Sequence, residues 1–499
     1  MVASMFPPCQ GPCTLRHNAP KVMDPPKPKR LGARPLDSAT PEEPSSVPSR
    51  RALSPTSFLT RPSAHQGVTM SPSPSGSRAR LLGAAAVLAT VLSASSCSSS
   101  GPAKDDANAP ATLTVNLFSD FGYADLYKQY EQLHPNITIK ESRADMGAHH
   151  QNLHAHLLAG SGTADIEAVE IGQVAGFQSQ ADKFVNFLDN GVDPSQWVPS
   201  KTAPASSPDG KVLFGLGTDM GGMALCYRPD LFKAAGLPTN RDQVSAMMAD
   251  WPAYIAAGKQ FLANSPNKNV RWFDSGGNLF SAVIAQAPQG FYDSTGKPVV
   301  TQNPAVKDAF DLVAGAIKDG ESAGIQAFTP AWDTGFQKSQ FATVACPAWM
   351  SYEFKTNPPA DGGKWDLTRI PGGGGNWGGS YLTVPKSGKH TKAAVDLAKW
   401  LTAPDQEAKL FKEKGYFPSD RALWSQPDIA DHTEPLFNDA PTGKIFSQSA
   451  KDLKPQPLGA HGAEIGTALG NALTAVEQGK ADAGTAWKQA LGDIANING

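Results

Sequence analysis

The chain has 499 residues, 40% of them apolar, and a formal net charge of −2. Residues 1–96 carry 11 Lys/Arg against 4 Asp/Glu, a net of +7, so residues 97–499 sum to −9. An acidic body without a basic run argues against a nucleic-acid partner, and no stretch approaches the roughly 18 apolar residues of a membrane span.

Residues 1–69 are rich in Pro, Ser and Arg and hold two aromatics, Phe6 and Phe58. Such a segment cannot bury enough apolar surface to offset its ordering entropy. It reads as disordered and as an over-extended gene model, with translation starting at Met70. Arg50-Arg51 has no apolar run close behind it, as a twin-arginine signal would require. Residues 70–96 read as a secretory signal peptide: Arg78 and Arg80, the apolar run Leu81–Leu92, then small residues Ser93–Ser96. Ala94-Ser95-Ser96-Cys97 resembles a bacterial lipobox, although Leu is commoner than Ala three places before the cysteine. In those signals the cysteine becomes the lipidated first residue, which would hold the protein on the extracellular face of the cell membrane. An ordinary signal peptide with an incidental Cys97 is the alternative. Residues 97–111 are small and polar and read as a flexible tether.

All ten Trp and all nine Tyr follow Cys97. The body from Thr112 onward, about 390 residues, exceeds one ordinary core and implies two lobes. Leu113–Phe118 reads as a strand, residues 123–133 as a helix, and Ile137–Lys140 as a second strand. A helix reaching Leu158 ends at Gly160, and Asp165–Ile171 is a third strand. This βαβαβ order predicts an α/β fold with parallel-rich sheets. Phe341–Ala345 and Tyr381–Val384 read as later strands, and residues 392–414 and 463–478 as amphipathic helices. With Cys9 and Cys13 in the leading segment and Cys97 assigned to lipid, Cys226 and Cys346 remain. In an exported protein they form either a disulfide or two buried thiols.

Several segments together carry a family resemblance. They are TLTVNLFSDFGYADLYKQYEQLHPNITIK, GSGTADIEAVEIGQ, FGLGTDMGGMALCYRPDLFKAAGLP, FATVACPAWM and GGSYLTVPKSGKHTKAAVDLAKWLTAPDQEAKLFKEKGYFPS, closed by GNALTAVEQGKADAGTAWKQAL. From about residue 112 to 499 the chain resembles the family 1 extracellular solute-binding proteins of ABC sugar importers, the maltose-binding-protein-like group. Within that group, ACPAWM and PGGGGNWGGSYLTVP resemble the cellobiose and cello-oligosaccharide binders of high-GC Gram-positive bacteria. The resemblance implies a two-lobed periplasmic-binding-protein-like fold with the ligand cleft between lobes. Residues 112–218 and 371–418 would form lobe 1, and residues 219–370 and 419–499 lobe 2. It also implies a monomer that takes an oligosaccharide, uses no cofactor, and delivers its ligand to the transmembrane subunits of an ABC permease. Cys226 and Cys346 flank strands that the family places near the hinge.

Sugars present apolar CH faces and rings of hydroxyls, so a site needs aromatics beside carboxylates and amides. Such sites lie beyond the carboxyl ends of the strands. There the chain offers Asp120, Phe121 and Tyr123 after the first strand, and Glu170 and Gln173 after the third. Asp219 lies in the first inter-lobe crossing, and Trp272, Asp274 and Asn278 in a Gly-flanked turn. The resemblance adds Trp349, where the family commonly keeps a sugar-stacking Trp, and Trp377, whose position faces the cleft, with the two expected on opposite sides of a sugar. Trp332 is a weaker candidate. For each aromatic the alternative is a core position, and for Asp120 and Asp219 a turn or cap.

Other functions compete for the same residues. Gly372–Gly375 lack the Gly-Lys-Ser/Thr of a phosphate loop, and no Gly-x-Ser-x-Gly elbow occurs. A secreted glycoside hydrolase would need a carboxylate pair, which nothing in the spacing of Asp120, Glu170 and Asp219 marks. His149, His150, His154 and His156 would suit a metal-binding importer component, since His150 and His154 stand at i, i+4, but no Cys or Glu completes a helix motif. The expectation is therefore a binding protein without metal. Its sugar is a cello-oligosaccharide, or another di- or oligosaccharide of the malto-, xylo- or chito- series.

Overall fold

The computed structural model describes residues 110–498. Residues 1–69, the signal segment, Cys97 and nearly all of the tether lie outside the described residues.

The first sheet grows from strand β1 (Ala111–Leu117), whose alternate residues Leu113, Val115 and Leu117 are fully buried. It pairs in parallel with β2 (Ile137–Arg143), Leu113 opposite Ile139, and with β3 (Ile166–Glu170). Helix 124–133 joins β1 to β2 and buries Leu126, Tyr127 and Tyr130. Helix 146–159 joins β2 to β3. Asp145 starts it by accepting from the N–H groups of Gly147 and Ala148, and Gly160 ends it at a φ of 67°, the left-handed cap that glycine adopts freely. Its inner face is His149, His150, Leu153 and Leu157, one helical stripe.

The chain then adds β4 (Gly215–Gly217), crosses, and builds a second sheet from β5 (Met223–Tyr227), β6 (Arg271–Phe273), β7 (Phe341–Pro347) and β8 (Asp366–Arg369). It returns with β9 (Ser380–Thr383) to the first sheet. The sheet orders are β2-β1-β3-β9-β4 and β6-β7-β5-β8. Both sheets are mixed rather than parallel-rich. β9 runs antiparallel to β3 and β4 because it re-enters from the second sheet, and β5 runs antiparallel to β7 and β8. Each sheet has its own apolar core, one around Val115, Ile166 and Leu382, the other around Leu225, Trp272 and Phe310.

One expected helix is two. Residues 392–414 divide into Thr391–Leu401 and Pro404–Lys414, because Pro404 has no N–H to donate and its ring obstructs the preceding turn. Helix Gly462–Glu477 packs against Gly276–Ile284 beside the second sheet. Cys226 on β5 and Cys346 on β7 form a disulfide across adjacent antiparallel strands, with Cα atoms 5.8 Å apart. No helix among the described residues is long and apolar enough to cross a membrane.

The crossing segments lie side by side. Trp377 N–H donates to Gly221 O (2.9 Å), Thr218 N–H to Ser380 O (2.9 Å) and Met220 N–H to Phe417 O (2.8 Å). Asp219 adds a side-chain clamp, accepting from Ser380 N–H at 3.0 Å. These bonds seat the loops at the strand ends beside one another and form the floor of a cleft.

Candidate functional site

The cleft has two compartments. The first, about 580 Å³, is walled by Asp120, Phe121, Tyr123, Glu170, Asp219, Trp349 and Trp377. Seven candidates drawn from loops more than 250 residues apart in sequence thus meet around one space. Phe118 meets Phe121 edge to face and Phe121 tilts against Tyr123 after β1, placed there by the turn that Asp120 closes on Gly122 N–H at 2.8 Å. Phe121 and Tyr123 are buried members of the first core, at 7% and 1% exposure, and back this wall rather than standing open on it. Asp120 also pairs with Arg143 at 3.1 Å, so it serves the turn while remaining exposed at the rim. The second compartment, about 520 Å³, is lined by Asn278, Phe291 and Tyr292 among others. The two share Met146, Glu170, Phe328, Trp377 and Gly378.

Trp349 and Trp377 occupy one wall, not opposite sides. The Trp349 indole N–H donates to Trp377 O at 2.8 Å, and the rings meet edge to face with centroids 5.7 Å apart. The cause is the crossing ladder, which carries Trp377 back over Gly221 and beside the end of β7.

Four other candidates lie elsewhere. Trp272 is fully buried among Phe232, Tyr254 and Phe261 in the second core. Its residues form a strand in register with β7 rather than an open turn. Asp274 lines neither compartment: it is buried and accepts from Ser275 N–H (2.7 Å), Trp332 Nε1–H (2.9 Å) and the Asn278 amide. Trp332 is likewise a core residue. Gln173 lines neither compartment.

Electrostatics concentrate behind the first compartment. Burial pushes the Glu170 carboxyl up to about 7, against the opposing pull of Gly172 N–H and the Lys201 ammonium. Burial also raises Asp219, opposed chiefly by Lys201. Lys201 itself is buried, its ammonium 4.1 Å from the centre of the Tyr381 ring. Burial lowers it to about 8, opposed by Asp219, Glu407 and Glu170. The cleft thus sets carboxylates of tuned basicity beside aromatic faces, a surface suited to hydroxyl-rich ligands.

The histidines serve the helix and its neighbours. His149 Nε2 lies 2.7 Å from Ala168 O. His150 Nε2 accepts from Glu170 N–H at 3.0 Å, which leaves Nδ1–H for Met146 O at 2.7 Å. His154 stacks on Phe177 with centroids 3.8 Å apart. Among the described residues no group of three His, Cys, Asp or Glu could hold a metal ion.

Sequence reasoning missed Met146, Tyr352, Tyr416 and Phe328 on the cleft walls. Tyr416 carried a signal, since it lies at the end of the family-like segment and donates its hydroxyl to Asp120 O at 2.8 Å. Phe328 precedes a readable Thr329-Pro330 helix start, but its backbone conformation is not written in the sequence.

Residues 125–437 match the family model described as bacterial extracellular solute-binding protein. A solved extracellular solute-binding protein of family 1 is 42% identical, with a TM-score of 0.70 over 78% of this chain and 99% of that one. The arabinooligosaccharide-binding protein of Bacillus subtilis is 25% identical over 340 residues, 64% of this chain and 75% of its own length. The ABC-transporter-associated binding protein of B. animalis subsp. lactis, solved with beta-1,6-galactobiose, shares the fold at 20% identity and a TM-score of 0.65, over 78% of this chain and 98% of that one. The match over 125–437, together with the shared architecture, makes this chain a member of the bacterial extracellular solute-binding proteins.

Proposed function

We propose that this chain binds an oligosaccharide in the two-compartment cleft, without altering it, and presents it to an ABC permease. The observation that carries the reading is where exposed apolar surface lies. Among the described residues the large hydrophobic side chains that stand exposed are Leu133, Met146, Leu158, Phe328, Tyr352 and Leu458, and four of these six line the cleft. Exposed apolar surface gathered at one concavity marks a binding site. Here it stands beside Asp120, Glu170 and Asp219, which can accept hydrogen bonds from sugar hydroxyls. Cello-oligosaccharides, from the sequence resemblance, and arabino-oligosaccharides, from the B. subtilis relative, are the first two series to test.

Binding to the folded state raises the melting temperature by mass action. A thermal-shift panel of arabino-, cello-, malto-, xylo-, chito- and β-1,6-galacto-oligosaccharides should give a shift with one series, and calorimetry should give a stoichiometry near one. No shift with any series overturns the reading. The proposal includes a lipid anchor at Cys97, which places the protein on the extracellular face of the membrane. Mass spectrometry of the membrane-extracted protein should find a mature chain beginning at lipidated Cys97. An unmodified Cys97 removes the anchor and leaves the binding function standing.

A further inference from the structure

Packing does not account for Phe328. It is a non-glycine residue at a φ of 61°, where a bulky side chain is an outlier that costs stability. Yet it is 60% exposed, touching the buried Trp332 ring with centroids 5.3 Å apart, so the strain brings little burial in return. The surrounding chain holds it in place. Ala323 N–H donates to Phe273 O (2.8 Å) and Ile325 N–H to Asp274 O (2.9 Å), tying the incoming segment to β6. On the other side the Thr329 hydroxyl donates to Gln326 O at 2.7 Å, and Thr329 caps helix Pro330–Gln337. The left-handed residue between these anchors turns its ring outward. The ring lies at 28° to Trp349 with centroids 5.9 Å apart, and edge-on to Trp377 at 6.2 Å. It stands where the two compartments meet.

We propose that Phe328 is a specificity-determining residue that reads chain length: its ring forms the waist of the cleft and covers the apolar face of a sugar unit spanning both compartments, so the site favours oligosaccharides over disaccharides. This rests on the oligosaccharide reading above. A disaccharide that fills one compartment gains little from the waist. A longer chain must pass it, and covers an aromatic face that water otherwise covers.

Two variants test the idea. Phe328→Gly removes the ring at a φ that glycine adopts without strain. Phe328→Leu keeps an apolar side chain but loses the flat face. Calorimetry would compare wild type and both variants with the disaccharide and the pentasaccharide of each of the six series in the thermal-shift panel. In the series that binds, both variants should lose about tenfold in pentasaccharide affinity and less than about threefold for the disaccharide. Phe328→Gly should melt at or above wild type, since the strain is relieved; if it melts below, the Phe328→Leu comparison decides. Equal losses at both lengths, or no loss in either variant while wild type binds, overturn the role of Phe328 alone. Failure of wild type to bind any series overturns the oligosaccharide reading and this inference with it.

Discussion

Trp349 donates its indole N–H to the backbone carbonyl of Trp377 at 2.8 Å, so the end of β7 and the returning crossing segment share a single aromatic corner. The two rings therefore act together. Removing either indole strips a large apolar contact from the first compartment. Each Trp→Ala change should weaken oligosaccharide binding by about 2 kcal/mol or more, some thirtyfold. Because the rings touch, the double variant should depart from additivity by roughly 0.5–3 kcal/mol. Calorimetry on the two single variants and the double one checks this. Strict additivity would show that the corner is not a unit.

Glu170 gives a pH signature. Its carboxyl rises from an ordinary 4.5 to about 7 through burial, so the folded state holds its proton more tightly than the unfolded chain does. Its contribution to stability is fully present below about 4.5 and is lost as pH climbs through about 7. Glu170→Gln carries no such charge and keeps an oxygen for Gly172 N–H. The melting temperature of the variant relative to wild type should therefore climb between pH 4.5 and 7 and level off beyond. A constant difference across that range would mean that Glu170 titrates normally.

How far the sequence reached depended on whether local chemistry decided the outcome. Leu113–Phe118 alternates apolar and polar residues as a half-buried strand must, and the structure holds β1 there. Gly160 marked the end of a helix because few other residues cap in the left-handed region. Pro404 could have split residues 392–414 on the same grounds. Trp272 and Trp349 are chemically alike and each lies at or just beyond a strand; only the pairing of β6 with β7, residues 68 or more apart, sends one into the core. The orientation of Trp377 toward Trp349 depends likewise on the crossing ladder. Phe328 is the extreme case, since its φ is imposed by hydrogen bonds on either side.

The disulfide closes a loop between residues 120 apart in sequence. In the chain-entropy account a loop of that length stabilises the fold by about 4–5 kcal/mol, with measured values commonly near 2–4. Both cysteines are buried, Cys226 fully and Cys346 at 1% exposure, so reductant should act slowly on the native protein and readily on the unfolded one. Cys226→Ser with Cys346→Ser should lower the melting temperature of the oxidised protein while leaving sugar affinity within about twofold, since neither residue lines the cleft. Melts of wild type with and without reductant should reproduce the gap. Identical melts would mean that the bond contributes nothing to stability.

Gly221 tests the crossing ladder directly. A Cβ at this position would stand 1.9 Å from the Trp377 carbonyl oxygen and 2.5 Å from its carbon. Backbone cannot rotate away as a side chain can, so Gly221→Ala must push the two crossing segments apart. The same residue accepts the 2.9 Å bond from Trp377 N–H, and the opposed carbonyl accepts the Trp349 indole. Two consequences follow from one methyl group. Overpacking against fixed backbone should cost about 1–3 kcal/mol of stability, and Trp377 should shift relative to Trp349 and loosen the aromatic corner. Sugar affinity should then fall even at temperatures where the variant is fully folded. Gly222→Ala is the control: its Cβ would meet its nearest neighbour, Phe446 O, only at 3.4 Å, so it should melt and bind close to wild type. If Gly221→Ala loses stability but binds as wild type does, the ladder supports the fold without setting the geometry of the site.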